Sequence, residues 1–230
     1  MNITQDDLIT QYEHLHSSKQ YRWSGARSAM ESIAICLNEL KPSSVLEYGC
    51  GQSRLFELLG KPGMTYDRYD PAIPEIATVP RGSYDFVFST DVLEHIPTED
   101  VPDVLFHLRQ LSHTVFLRIS TRPARTILQD GRNAHLTVWP GERWLREIRN
   151  HFPDAELVYE LAGEKCIIMT WKSASAAQIA GLEHTRDKKR RGAIRQFFKG
   201  IERSLRSLRD SLTGRRKPGQ KTGTTKHESA

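Results

Sequence analysis

The sequence predicts an α/β fold in which helices cover both faces of an open, mostly parallel sheet. Two patterns carry the prediction. Short apolar runs, each ending in a polar or acidic residue, recur along the first part of the 230-residue chain, and stretches of helical periodicity separate them. The first run also leads directly into a glycine-rich turn. A chain of this length holds one such domain with a full core and additional segments.

The first strand and its turn read VLEYGCGQS over residues 45–53. The strand contains the acidic Glu47, and Gly49 and Gly51 then allow the backbone to bend and approach a ligand, because they lack a Cβ atom. The next residues, 54–59, form a predicted helix whose first amides face the same ligand. Strand, glycine turn and helix together indicate a nucleotide-type site.

A dinucleotide site is not favoured at this turn. Its G-x-G-x-x-G pattern needs a third glycine where this chain has Arg54, preceded by Ser53.

A second and a third strand follow in the order expected of such a sheet. The second ends at Asp70, 23 residues after Glu47, where a carboxylate can accept both hydroxyls of a ribose. The third includes Phe86–Phe88 and leads through Ser89 and Thr90 into DVLEHIP. Only thirteen residues with three prolines lie between Asp70 and Tyr84, so the usual next helix and strand cannot both fit.

The later elements follow from the same patterns. Apolar periodicity predicts helices over 29–40, 98–111 and 141–152, the second capped by Thr98. Apolar runs predict strands over 114–119 and 166–171.

The three segments over residues 45–97 resemble, in order, the hallmarks of class I S-adenosylmethionine-dependent methyltransferases, with Ser53 in place of the last glycine of acid-x-G-x-G-x-G. The resemblance implies a Rossmann-like sheet, here shortened around its third strand, and S-adenosyl-L-methionine as the cofactor. It also implies that residues 1–30 fold over the cofactor as a lid. The implied cofactor contacts are Tyr21, Glu47, Gly49, Gly51, Ser53, Asp70, Ser89 and Thr90.

Acidic and histidine residues cluster in the segment after the third strand. Asp91, Glu94 and His95 are spaced so that one helix face would carry all three. Two acids and a histidine suit a divalent metal such as Mg²⁺, Mn²⁺ or Zn²⁺ with open coordination positions. His135, in the 21-residue stretch 120–140, is the candidate fourth ligand.

This cluster is similar to segments of two O-methyltransferase groups, one of the ubiquinone pathway and one that methylates the ribose 2′-hydroxyl of small RNAs. The second resemblance implies a metal that holds two neighbouring hydroxyls, although Asp91 stands where glutamate is usual. Two alternatives stay open: His95 or His135 acts as a metal-free general base, or the cluster has only a structural role.

Four arginines near the predicted opening of the site favour an acidic acceptor, such as an acidic sugar, because arginine binds carboxylates and phosphates. They are Arg118, Arg122, Arg125 and Arg132. The segment that contains these arginines is similar to one in methyltransferases of bacterial surface-glycan biosynthesis. We therefore expect methylation of a sugar hydroxyl in a bacterial glycan. The alternatives are a quinone-type small-molecule O-methyltransferase, an RNA ribose methyltransferase and a cofactor-binding module without catalysis.

Charge divides the chain unevenly. Residues 186–221 hold 14 basic and three acidic residues, a net charge of +11 within a total of +5, so the remainder carries −6, which is 5 minus 11. The division predicts five parts: a lid (1–30), a methyltransferase domain (31–172), a basic linker (173–191), an amphipathic helix (192–212) and a disordered tail (213–230).

The amphipathic helix predicts contact with an anionic membrane surface. Its apolar positions form one stripe at helical spacing, and basic residues lie opposite the stripe. Packing on a protein is the alternative; nucleic acid is not favoured, because the apolar positions would then have no role. No run of 18 apolar residues and no secretory signal is present. We therefore expect a cytoplasmic protein, peripheral on the inner membrane face.

Overall fold

The structure, a computed structural model, describes residues 5–17 and 24–212, with the side chains of 7–17 and 27–205. The chain divides into two compact units after Glu183, and the division falls inside the last helix. The first unit contains the sheet and the candidate site. None of the helices in the described ranges is long and apolar enough to cross a bilayer.

Six strands of the first unit form one sheet, in the spatial order β2-β1-β3-β4-β6-β5. Neighbours among the first four are parallel, whereas β6 runs antiparallel to both β4 and β5. The strands are β1 (Ser44–Tyr48), β2 (Thr65–Tyr69), β3 (Phe86–Thr90), β4 (Val115–Ser120), β5 (Glu156–Leu161) and β6 (Lys165–Met169). The predicted α/β, Rossmann-like sheet is confirmed.

Helices pack on both faces of the sheet, as alternation along β1 illustrates. Leu46 belongs to an apolar cluster with Leu105, whereas its neighbour Val45 belongs to another with Ile33. Successive side chains of a strand point to opposite faces, so each face has its own core. The helices are α1 (Gln5–Ser17), α2 (Ser24–Leu40), α3 (Leu55–Leu59), α4 (Val101–Leu111), α5 (Gly141–Arg149) and α6 (Ala176–Leu212).

The predicted shortening around the third strand of the family's sheet is confirmed. Residues 70–85 are all described and contain a single 3₁₀ turn, Pro74–Ile76, with no strand. As a result β2 forms one edge of the sheet, paired only with β1.

Several element boundaries differ from the sequence-based expectations, including the following three. Helix α2 begins at Ser24, five residues earlier than expected. Helix α4 begins at Val101, and Thr98 does not cap it: its hydroxyl lies 2.9 Å from the hydroxyl of Thr137. The last helix begins at Ala176, so most of the predicted basic linker is helical. The predicted tail, 213–230, lies outside the described residues.

Candidate active site

The site lies where the strand order reverses. After β1 the chain adds β2 on one side and later β3 on the other, which opens a crevice at the carboxyl ends of these strands. Three segments emerge there: the glycine loop (residues 49–53), the turn segment (residues 91–97) and the long loop (residues 121–140).

The glycine loop packs directly on the turn segment. Gly49 has φ +69°, and a Cβ atom there would lie 2.5 Å from Cγ2 of Val92. The amides of Gly49 and Cys50 both donate to the carbonyl oxygen of Tyr69, at 2.8 and 3.0 Å. Only glycine therefore fits at position 49, for both backbone conformation and space.

Glu47 lies buried beneath the glycine loop. One carboxylate oxygen accepts a hydrogen bond from the hydroxyl of Tyr66 at 2.9 Å, and the other has no hydrogen-bond partner among the described residues. Burial raises the pKa of Glu47 to about 7, against the opposing effects of Ser53, Tyr66 and Arg68. The unpartnered oxygen is available to a polar group of a ligand.

Asp70 closes the glycine loop from the end of β2. Its carboxylate accepts the amide of Gly51 at 2.7 Å and that of Ala72 at 2.9 Å. Because each carboxylate oxygen has two lone pairs, these bonds leave acceptor capacity for hydroxyl groups. The predicted ribose contact is compatible with this arrangement.

The other predicted cofactor residues lie at the same edge, with one exception. Ser53 is buried and accepts the amide of Leu55 at 3.1 Å at the start of α3. Ser89 and Thr90 end β3, and the buried hydroxyl of Ser89 has no hydrogen-bond partner within residues 5–17 and 24–212. Tyr21 lies outside the described residues.

The turn segment does not form the expected α-helical face. Asp91 has φ +56°, and only Leu93–His95 form a single 3₁₀ turn. Asp91 pairs with the guanidinium of Arg118 and so turns away from the role predicted for it. Burial opposes the charge of Arg118, but the Asp91 carboxylate outweighs it and raises the pKa of Arg118.

Glu94, His95 and His135 nevertheless come together, with ligand atoms within 4.8 Å of one another. Asp91 is not in this group, so the predicted set of four ligands becomes a set of three. The side chain of Glu94 is fully buried: one oxygen accepts the amide of Ser120 at 3.0 Å, and the other has no hydrogen-bond partner in the part of the chain that the structure describes. Burial, then Asp91, raises the pKa of Glu94 well above its ordinary value.

Backbone carbonyls fix the protonation of both histidine rings. Nδ1 of His95 lies 2.7 Å from the carbonyl oxygen of Ala134, and Nδ1 of His135 lies 2.6 Å from that of Arg122. A carbonyl oxygen can only accept, so the proton of each neutral ring is on Nδ1. Each Nε2 therefore keeps the lone pair that a metal or a proton would need.

Both histidines are neutral at pH 7. Burial, followed by the charge of His135, lowers the pKa of His95 to about 4. Burial also lowers the pKa of His135. A neutral imidazole suits a metal ligand, whereas the low basicity of His95 makes it a weak proton acceptor.

The long loop is attached to the turn segment through Thr137. Its amide donates to the carbonyl oxygen of Glu94 at 3.0 Å, and its hydroxyl donates to that of Ile96 at 2.7 Å. These bonds explain how His135, forty residues after His95, reaches the same place.

Helix α1 adds residues that were not predicted as site residues. The hydroxyl of Tyr12 donates to the carbonyl oxygen of Ala134 at 2.8 Å and lies 3.3 Å from Nδ1 of His95. The side chain of Gln52 in the glycine loop donates to the carbonyl oxygen of His16 at 2.7 Å. A polar helix near the amino terminus gave no sequence signal beyond the predicted lid.

Two of the four arginines expected to bind an acidic acceptor have internal partners. Arg118 pairs with Asp91, and Arg132 pairs with Asp130 at 2.8 Å. Arg122 and Arg125 remain as the candidates.

Comparison with known proteins identifies the family. The methyltransferase domain family matches residues 20–164, more than half of the chain. No curated protein matches the chain at a significant level.

Several solved structures resemble the chain at low identity. The Burkholderia thailandensis 1,6-didemethyltoxoflavin-N1-methyltransferase, solved with 1,6-didemethyltoxoflavin and S-adenosylhomocysteine, is 14% identical, with 70% of this chain and 85% of that chain covered and a TM-score of 0.50. The DhpI–S-adenosylhomocysteine complex is 15% identical, with 72% and 98% covered and a TM-score of 0.48. The small RNA methyltransferase HEN1 is 10% identical, with 66% and 26% covered and a TM-score of 0.47.

The family match begins at residue 20, after α1, and ends at residue 164, just before β6. It contains all of the glycine loop, the turn segment and the long loop. The chain belongs to the methyltransferase domain family, and the prediction of a class I S-adenosylmethionine-dependent methyltransferase is confirmed.

Proposed function

We propose that this protein transfers the methyl group of S-adenosylmethionine to a hydroxyl of a sugar in a bacterial glycan, with a divalent metal holding two neighbouring hydroxyls. The observation that carries the proposal is the group formed by Glu94, His95 and His135. It lies at the carboxyl edge of the sheet, beside the glycine loop.

Three features of the crevice support cofactor binding. One buried carboxylate oxygen of Glu47 has no hydrogen-bond partner among the described residues. The buried hydroxyl oxygen of Ser89 has none there either. Asp70 is held at the end of β2 by two backbone amides. A buried polar atom without a partner is costly, and a bound ligand would remove that cost.

The side chains fit a metal. Two histidines and one carboxylate are the ligand set of open sites in which substrate completes the coordination. Glu94 offers a buried oxygen without a hydrogen-bond partner, and each histidine has its proton fixed on Nδ1. When bound, such a metal would act as a Lewis acid and lower the pKa of a coordinated hydroxyl.

The chemistry of methyl transfer needs little else from the protein. The acceptor oxygen forms a bond to the methyl carbon while the carbon–sulfur bond breaks. The electron pair of that bond stays on sulfur, giving S-adenosylhomocysteine, and the hydroxyl proton passes to a base. Alignment of oxygen, carbon and sulfur then supplies most of the acceleration.

The acceptor class follows from the metal and the charge. An open metal site selects a pair of neighbouring hydroxyls, which sugars provide. A terminal RNA ribose has them too, but the chain outside residues 186–221 carries a net charge of −6, which disfavours a polyanion. The fold itself does not decide between oxygen and nitrogen as the methylated atom.

A metal-free reaction is the second candidate. The hydrogen bond from His135 to the carbonyl oxygen of Arg122 orients its ring as a base would be oriented. His135 is the better base of the pair, because the pKa of His95 is lowered to about 4.

Mn²⁺ titration and methyl transfer test the proposal together. Calorimetry with Mn²⁺ should show one site in the unaltered protein. Labelled S-adenosylmethionine should then give methylated product with sugars that carry neighbouring hydroxyls, and not with their monodeoxy analogues. Turnover that persists in EDTA and is lost in His135→Ala would favour the metal-free base. Equal turnover with monodeoxy sugars would contradict the diol requirement.

A further inference from the structure

Helix α6 exposes a group of large apolar side chains in the second unit. Five of the ten exposed large hydrophobic residues in the described part of the chain lie within twelve positions. They are Ile194, Phe197, Phe198, Ile201 and Leu205, exposed by 48, 66, 58, 39 and 60%. Single exposed apolar residues are ordinary, but a contiguous group on one element marks a contact surface.

The five side chains share one side of the helix. At about 100° per residue they fall within a stripe roughly 100° wide. We call this side the apolar stripe. Because two phenylalanines are adjacent, the apolar stripe is wider than the contact line between the two helices of a coiled coil.

Basic residues lie on the other side of the helix from the apolar stripe. Arg195, Lys199 and Arg203 recur every fourth residue, and all three side chains are exposed. The only acid among residues 194–205 is Glu202. A helix with an apolar stripe and a basic polar side complements a surface with an apolar interior and a negative face.

We propose that residues 192–212 bind the surface of a bilayer that contains anionic lipid, with the helix axis parallel to the surface. The apolar stripe enters the boundary between headgroups and acyl chains, and the positive charge of Arg195, Lys199 and Arg203 on the polar side attracts the helix to the anionic surface. Aromatic and long basic side chains are suited to this boundary, because each combines an apolar part with a polar or charged end.

A second copy of the helix fits the surface less well. Ile194, Phe198, Ile201 and Leu205 have coiled-coil spacing, but Phe197 and Ser204 flank this seam without charge. No oppositely charged pairs would therefore fix a parallel partner helix. The spacing from residue 194 to 212 also covers fewer than the about three to four heptads that a coiled coil needs.

Vesicle sedimentation tests the proposal with the full-length protein. Vesicles of phosphatidylcholine with one-third phosphatidylglycerol should pellet the unaltered protein, and pure phosphatidylcholine should pellet at least tenfold less. Phe197→Ser with Phe198→Ser should reduce binding to anionic vesicles at least tenfold. Phe106→Ser is the matched control, because Phe106 is 55% exposed on α4 of the first unit, and it should bind as the unaltered protein does.

A second variant separates charge from burial. Replacing Arg195, Lys199 and Arg203 by glutamine should lower binding several-fold, and 0.5 M salt should abolish this difference. Cofactor affinity should stay within twofold in every helix variant, which shows that the first unit is folded.

Four outcomes would overturn the proposal. The first is that the unaltered protein does not bind vesicles. The second is that the double phenylalanine variant binds anionic vesicles as well as the unaltered protein does. Another is a lipid-independent dimer that the double variant dissociates, which would assign the stripe to a second copy. The last is RNA binding that the glutamine variant loses while vesicle binding is unchanged.

Discussion

The hydroxyl of Tyr12 lies 3.3 Å from Nδ1 of His95, although 83 positions separate the two residues. Both groups converge on the carbonyl oxygen of Ala134, at 2.8 Å from Tyr12 and 2.7 Å from His95. A residue of α1 thus shares the hydrogen-bond acceptor that sets the protonation of a candidate ligand.

Tyr12→Phe tests whether this contact orients His95. The variant keeps the ring and removes one hydrogen bond, so we expect the free energy of unfolding to fall by about 1 kcal/mol. The affinity for cofactor should stay within about twofold, while kcat falls several-fold, because His95 is less well held. Activity assays at saturating cofactor measure kcat, and calorimetry measures the affinity for cofactor. A change in cofactor affinity with kcat unaltered would assign Tyr12 to the cofactor site instead.

Glu94→Gln and Asp91→Asn distinguish the observed ligand group from the predicted one. Glu94→Gln keeps the shape of the side chain but removes the charge, so Mn²⁺ affinity should fall at least about tenfold. Asp91→Asn should change Mn²⁺ affinity less than about threefold, because that carboxylate pairs with Arg118. Isothermal titration at pH 7.5 gives both values. A larger loss in Asp91→Asn than in Glu94→Gln would restore the ligand that the sequence predicted.

Glu47 should make stability depend on pH. Its pKa is about 7 in the folded protein, above the ordinary 4.5, so the folded state binds the proton more tightly. The stabilisation is complete below about pH 4.5 and is lost as the pH rises through 7, by roughly 3 kcal/mol in total. Glu47→Gln should remove its own contribution to this slope without lowering stability at pH 8, while the contribution of Glu94, whose pKa burial also raises, remains.

Urea unfolding of the cofactor-free protein from pH 5 to 8 measures the slope. Glu99→Gln, on the surface, is the control and should keep it. A slope of unchanged size in Glu47→Gln would assign the pH dependence to another group.

Gly49→Ala should cost more than a strained backbone alone. Gly63 has a similar positive φ, +81°, but a Cβ atom there would have nothing within 4 Å. We expect Gly63→Ala to destabilise by about 1–2 kcal/mol, and Gly49→Ala by at least about 1 kcal/mol more, because its Cβ overlaps Val92. Thermal unfolding compares them, and cofactor affinity should fall only in Gly49→Ala. Equal costs at the two positions would show that Val92 moves aside without penalty.

The sheet and the cofactor residues were accessible from the sequence because short-range patterns encode them. A glycine turn after an apolar strand specifies both its backbone and its place, as at Gly49, and an acid at the end of β2 specifies Asp70. The missing third strand followed from the small number of residues between Asp70 and Tyr84. Each of these inferences depended on residues close together in the chain.

The ligand group was only partly accessible, for a long-range reason. The spacing of Asp91, Glu94 and His95 suggested one α-helical face, but the left-handed backbone of Asp91 and its pairing with Arg118 on β4 break that face. Arg118 had been assigned to the acceptor. Neither the pairing nor the contact from Tyr12 leaves a periodic signal, because both join segments that meet only in the folded chain.

Helix α1 contacts the glycine loop near His16 and the histidine pair near Tyr12, so one element touches the donor side and the acceptor side together. Any movement of α1 that admits S-adenosylmethionine also displaces the group beside His95. Donor and acceptor should therefore bind in a fixed order, with the donor first. In steady-state kinetics, S-adenosylhomocysteine would then compete with the donor and act as a mixed inhibitor against the acceptor.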